Sequence, residues 1–181
     1  MVFWILPLFR QYKQDYFYFF LVIAITDPIA GICYYLNIIS ITIVHSVSSL
    51  LLFYSVDIAN KKLLENRTFN LILFVSFCFI LLTGIDRYLI IAILHTFILV
   101  KFIKISAIKM HNSGKLNLFY IFLILFELSI VVKMSFSITR TELGVLYYNI
   151  TLAFGMLIAI FFTFYREDNP KIIFNLKSTS E

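Results

Sequence analysis

One stretch, residues 16–56, limits what this chain can become. Over 41 residues it carries two ionisable side chains besides tyrosine and cysteine, Asp27 and His45. A helix rises ~1.5 Å per residue and a bilayer's hydrocarbon core is ~30 Å thick, so the stretch is about twice one crossing. A chain with such a segment must cross a membrane and return. Composition agrees: 61% of the residues are hydrophobic, 14% are charged and the mean hydropathy is +0.95. That is more apolar surface than a soluble domain of 181 residues can hide. In lipid, backbone polar groups are satisfied only in helices or closed barrels, and the apolar runs here are continuous rather than alternating. The sequence predicts an all-α, polytopic transmembrane helical bundle, one integral membrane domain over residues 1–181.

Polar punctuation divides the chain into six predicted spans, at 16–35, 38–56, 69–85, 88–110, 116–135 and 143–165. Ahead of them, the apolar residues 1–9 would reach only ~13 Å as a helix. That segment admits two readings: an interfacial anchor through Trp4, or the tail of a seventh, truncated helix. The first span contains Asp27-Pro28, where proline removes a hydrogen bond to the carbonyl of Ala24. A kink is expected, or a broken helix with Asp27 as N-cap and Pro28 at N1. His111-Asn112-Ser113-Gly114 reads as a helix stop.

Six spans place the segment before the first, the loops 57–68 and 110–115 and the C-terminal tail on one side. Nine of the fifteen Lys and Arg residues fall there, and Lys101, Lys104 and Lys109 can snorkel to the same side from the end of span 88–110, twelve in all, which by the positive-inside rule makes that side cytoplasmic. The expected location is the inner (plasma) membrane of a bacterium. The net charge of +5 then points to anionic lipid headgroups, with no nucleic acid implied. Cys33 and Cys78 lie inside spans without CxxC spacing and read as small core residues. The 21 Phe and 11 Tyr residues read as lipid-facing bulk. Gly155 and Ala159 form a small-xxx-small pair suited to close helix packing or a dimer seam. Neither glycosylation sequon, at Asn66 or Asn149, falls where it can act, and no Walker or GxSxG motif occurs.

Ionisable groups inside a bilayer are costly, about 2.5–3.5 kcal/mol on insertion scales, so each needs a reason. Counted from the predicted outer helix ends, Asp27, His45, His95, Glu127 and Asn149 all fall ~9–12 Å below the outer surface. Five helices would then share one polar layer. Thr42, His45, Ser46 and Ser49 recur at i, i+3, i+4, i+7, one face of one helix. The candidate ligand-binding or proton-relay residues are Asp27, His45, Ser49, His95, Glu127 and Asn149. Each also has a structural reading: Asp27 as an N-cap, the histidines as interhelical hydrogen bonds, Asn149 as helix–helix glue. Glu127 lacks such an excuse. Two histidines on separate spans at one depth can also ligate haem or a divalent metal. No HxxxH or HExxH spacing supports that, so metal and cofactor stay open.

In span count and sidedness the layout is similar to small bacterial seven-helix sensor modules, with no residue-level match. The preferred expectation is a sensory or accessory module that binds a small ligand or lipid headgroup in the polar layer. Its loops are too short for an output domain, so it would act through a separate partner protein. The alternative is a small proton-coupled transporter using the Asp27-Pro28 break and Glu127, although no second interrupted span mirrors that break. An intramembrane lipid enzyme, with Glu127 or Asp27 and a histidine as general base, comes third.

Overall fold

Runs of apolar residues become helices here, and the Asn, Ser, Asp and Gly residues between them become their caps. The computed structural model describes residues 2–58, 86–139 and 143–175, together with 71, 72, 75, 76 and 79. After a 3-10 turn at Val2–Trp4 come α1 (Ile5–Arg10), α2 (Phe17–Tyr35), α3 (Ile41–Ile58), α4 (Arg87–Ser113), α5 (Leu118–Thr139) and α6 (Leu143–Phe164). Three of them, α2, α4 and α5, are long and apolar enough to cross a membrane; Ile41–Val56 and Asn149–Phe164 form two shorter apolar helices. The span expected at 69–85 and most of the loop before it lie outside the described residues.

The caps are chemically specific. α2 ends in a Schellman turn: the N–H of Asn37 reaches the carbonyl of Tyr34 at 3.2 Å and that of Ile38 reaches Cys33 at 3.1 Å. Asn37 sits at φ 51°, a left-handed position that Asn tolerates better than most residues. Ser40 precedes α3, and its carbonyl accepts from Ile43 and Val44. That helix therefore begins three residues later than the expected 38. Asp86 caps α4 by accepting from the N–H of Tyr88 at 2.9 Å. Gly114, at φ 65°, closes it by donating to the carbonyl of Met110 at 2.8 Å. The helix stop expected at 111–114 is thus realised as a glycine cap.

Pro28 does not break α2, which runs unbroken from Phe17 to Tyr35. The N-cap role expected of Asp27 is therefore corrected: Asp27 lies within a helix. Proline removes one donor and one ladder bond, and packed apolar helices tolerate that loss. Thr26, buried two residues before Pro28, donates to the carbonyl of Val22 at 2.7 Å.

α2 packs on α3, α3 on α4, α4 on α5 and α5 on α6, while α1 lies against α2 and α6. α3 and α4 run parallel. Ser49 and Phe53, eight and twelve residues into α3, meet His95 and Phe97, eight and ten residues into α4. The end of α3 and the start of α4 consequently lie at opposite ends of the bundle. At the end where α4 passes to α5, β1 (Lys115–Asn117) pairs antiparallel with β2 (Ile173–Asn175), with Leu116 opposite Phe174. Lys109, Lys115, Arg166 and Lys171 gather there, and it is called the basic end below. The 36–40 turn marks the far end.

The core is aromatic. Phe19, Phe20, Phe102, Phe119 and Phe162 are completely buried, and their rings meet mostly edge to face, as in Phe20–Phe162 at 4.9 Å and Phe119–Phe162 at 5.1 Å. Such pairs add ~0.5–1.5 kcal/mol beyond the area they bury. Trp4 belongs to this core, 4.8 Å from Phe126, so it packs inside the bundle and not as an exposed interfacial anchor. The exit of α1 is fixed by Gln11, which is completely buried and donates to the carbonyls of Phe162 at 3.0 Å and Tyr165 at 2.9 Å. Phe162 lies in the last turn of α6, where carbonyls lack a partner within the helix, and Tyr165 is the residue just after the helix.

Candidate functional site

Three consecutive packed helices each contribute one buried polar side chain to a single chain of hydrogen bonds. From α3, Ser49 is 2% exposed; from α4, His95 is 4% exposed; from α5, Glu127 is 0% exposed. Ser49 Oγ lies 3.1 Å from His95 Nε2, and His95 Nδ1 lies 2.6 Å from Glu127 Oε2. Distances near 2.6 Å belong to charge-assisted bonds, about twice as strong as neutral ones. Ser49 Oγ also sits 2.8 Å from the carbonyl of His45, one turn earlier on its own helix. The second carboxyl oxygen, Glu127 Oε1, is buried with no hydrogen-bond partner among the described residues.

The order Ser–His–Glu is that of a hydrolase triad, but the surroundings do not serve acyl transfer. A nucleophile needs its hydroxyl aimed at the base and a space beside it for substrate. Here the serine is buried and back-bonded to its own helix. Recesses open around the 36–40 turn and beside Lys109, Lys115 and Tyr120. Neither is lined by His95 or Glu127. The arrangement is suited to holding helices together and to holding a proton.

A second group lies nearer the far end. His45 is half-buried four residues into α3, ~6 Å from the helix start rather than the expected ~10 Å. Asp27, Lys133 and His95 are the charges that act on it. Lys133 is half-buried six residues beyond Glu127 on α5, with Asp27 as its opposing charge. A lysine that close to a helix end reads from sequence as one that reaches the interface; the structure instead gives Asp27 on α2 a basic neighbour. No spacing rule could pair residues 106 positions apart on helices that are not sequence neighbours.

The expected polar layer is thus two tiers, Asp27, His45 and Lys133 above Ser49, His95 and Glu127. Asn149 is exposed on α6 and does not join either. The polar face read on α3 is largely satisfied locally, Ser46 donating to the carbonyl of Thr42 at 2.8 Å in the i−4 manner common for hydroxyls in helices. Thr96, beside His95, is exposed and bonds back to Ala92. No group of three or more metal-ligating side chains occurs among the described residues.

A third polar cluster sits at the basic end. Lys109 from α4 contacts both the Tyr120 hydroxyl and Glu167, and Tyr120 in turn donates to Glu167. Tyr16 stacks edge-on against Tyr120 and against Phe102. Asn117 secures the same corner by donating to the carbonyl of Glu167 at 2.8 Å. Glu167 joins this cluster from beyond α6, a pairing that no local spacing in the sequence announces. No family model, curated protein or solved structure matches this chain.

Proposed function

We propose that this chain is an integral membrane sensory or accessory module. It crosses the bilayer six times with its basic end in the cytoplasm, senses a small polar ligand through the upper tier, and acts through a separate partner chain. The observation that carries the reading is the buried Ser49–His95–Glu127 chain with Glu127 Oε1 unpartnered. Polar groups are retained at such depth when they do something, and this chain links α3, α4 and α5 so that any change at one is felt by the others. Asp27, His45 and Lys133 stand between it and the far end. The carrier alternative loses its main support with the continuity of α2, since a discontinuous helix was to form its substrate site.

Two measurements decide between them. In proteoliposomes holding a pH-sensitive dye, the sensor reading expects proton leak indistinguishable from empty vesicles. Flux that disappears in Glu127→Gln would establish the carrier instead. In native membranes, photo-crosslinkers placed at the exposed positions Lys104 and Ile108 on α4 should trap one partner species, in a yield that changes in Glu127→Gln.

A further inference from the structure

The hydrogen bonds of the lower tier can be counted proton by proton. We infer that Ser49, His95 and Glu127 form a binding site for one exchangeable proton, and that the Ser49 hydroxyl switches acceptors when it leaves. This names the ligand class of the site proposed above and rests on that site being reachable from the far end.

A hydroxyl has one proton to give. In the structure Ser49 lies 2.8 Å from a carbonyl, which can only accept. That bond uses the hydroxyl proton, so at 3.1 Å His95 Nε2 must be the donor to Ser49. Nε2 is therefore protonated. The 2.6 Å gap between Nδ1 and Glu127 Oε2 also needs a proton, because two lone pairs would repel at that distance. Whether that proton rides on nitrogen or oxygen, the His95–Glu127 pair holds two protons and is neutral overall. Neutrality is what a fully buried carboxyl with an unpartnered Oε1 requires.

Remove one proton and a single arrangement keeps both contacts. The Nε2 proton departs to water, leaving Nδ1–H donating to an ionised Glu127. The Ser49 hydroxyl then turns from the His45 carbonyl to the bare Nε2. The balance is the protonated site plus water giving the deprotonated site plus hydronium. The site has gained one negative charge, and α3 has exchanged a bond within itself for a stronger hold on α4. His45, whose carbonyl loses that bond, lies one turn nearer the start of α3 and so nearer the far end. Other titratable or charged groups carried by the surrounding elements include Asp27 on α2, Tyr54 on α3, Arg87 and Lys101 on α4, Lys133 on α5 and Tyr147 on α6. Lys101 is held 3.3 Å over the Phe53 ring.

The test uses the full chain in nanodiscs with ¹⁵N-labelled histidine. His45→Asn and His111→Asn variants assign the His95 signals, since the chain has three histidines. Across the pH range in which the chain stays folded, His95 should lose its proton at Nε2 while Nδ1 remains protonated. The Glu127 carboxyl infrared band should change in the same step, with one proton released per chain. In Glu127→Gln, whose side chain keeps the shape, the His95 midpoint should move by at least about tenfold in proton concentration. Ser49→Ala, a second and milder change, should move the midpoint while preserving the joint response of histidine and carboxyl. Loss of the proton from Nδ1, separate titration of the two groups, an unmoved midpoint in Glu127→Gln or no titration at all would each overturn the inference. None of these outcomes depends on a partner chain, so the sensory reading and the proton site fail separately.

Discussion

Cutting the His95–Glu127 bond from either side, and then from both, measures how strongly it ties α4 to α5. His95→Ala strands a carboxyl that is 0% exposed and already has one oxygen without a partner. Breaking a buried pair this way costs ~3–5 kcal/mol. Glu127→Ala leaves an imidazole that can go neutral and keep its bond to Ser49, a loss nearer the ~1–3 kcal/mol of one unsatisfied group. The coupling left when both are removed is smaller. Hydrogen bonds to charged groups are worth ~1.5–3 kcal/mol net in soluble proteins, yet interhelical bonds in membranes average ~0.6 and reach ~1.7 kcal/mol. The 2.6 Å distance places this one at the upper end. The short link between α4 and α5 keeps the partners close even when packing is lost, which limits the gain. A coupling of about 1.5 kcal/mol follows, roughly tenfold in the unfolding equilibrium. The assay is unfolding of the purified chain in mixed micelles as the dodecyl sulfate fraction rises, run as a double-mutant cycle. A coupling under about 0.5 kcal/mol, or Glu127→Ala proving the costlier single change, would refute the reasoning.

Gln11→Leu should lower stability by ~1–3 kcal/mol, since it strips the donors from two carbonyls at the end of α6; an unchanged thermal midpoint in detergent would remove the clamp assigned to that residue. The two left-handed caps should respond with opposite signs. Gly114→Ala costs about 1 kcal/mol because alanine is strained at that φ, whereas Asn37→Gly is neutral or mildly stabilising in the same melt. For sidedness, a membrane-impermeant maleimide should label Asn37→Cys in intact cells and Lys171→Cys only after permeabilisation, and the reverse pattern inverts the assigned orientation.

Glu127 and His95 stood out in the sequence because hydropathy makes any ionisable group conspicuous in a span. Counting residues from the helix ends brought them to similar depths, and the structure places them in contact. Counting failed where the ends were misjudged. Ile38 and Ile39 read as the start of a span, but the left-handed Asn37 and the Ser40 cap hold them in the turn, which moves His45 toward the far end. Lys133 read as a surface lysine because only the fold shows Asp27 across from it. Gln11 was hidden inside a polar break, where nothing local marks a side chain that will be buried against the end of a helix 151 residues away. Pro28 looked like a break because proline's effect on an isolated helix is clear, while the packing that overrides it is tertiary.

Below the His95–Glu127 pair the bundle turns dry. Ile98, Phe102, Leu123, Phe126, Phe19 and Leu52 close over one another with at most 7% of any of them exposed, before polar groups resume at Tyr16, Tyr120 and Glu167. That band is some ten ångströms deep; Ser55, bonded back to the carbonyl of Leu52, and Lys101, held over the Phe53 ring, flank it. On the sensory reading proposed above, a change at His95 would reach Lys109 and Glu167 through this band as a displacement of rings and helices against one another.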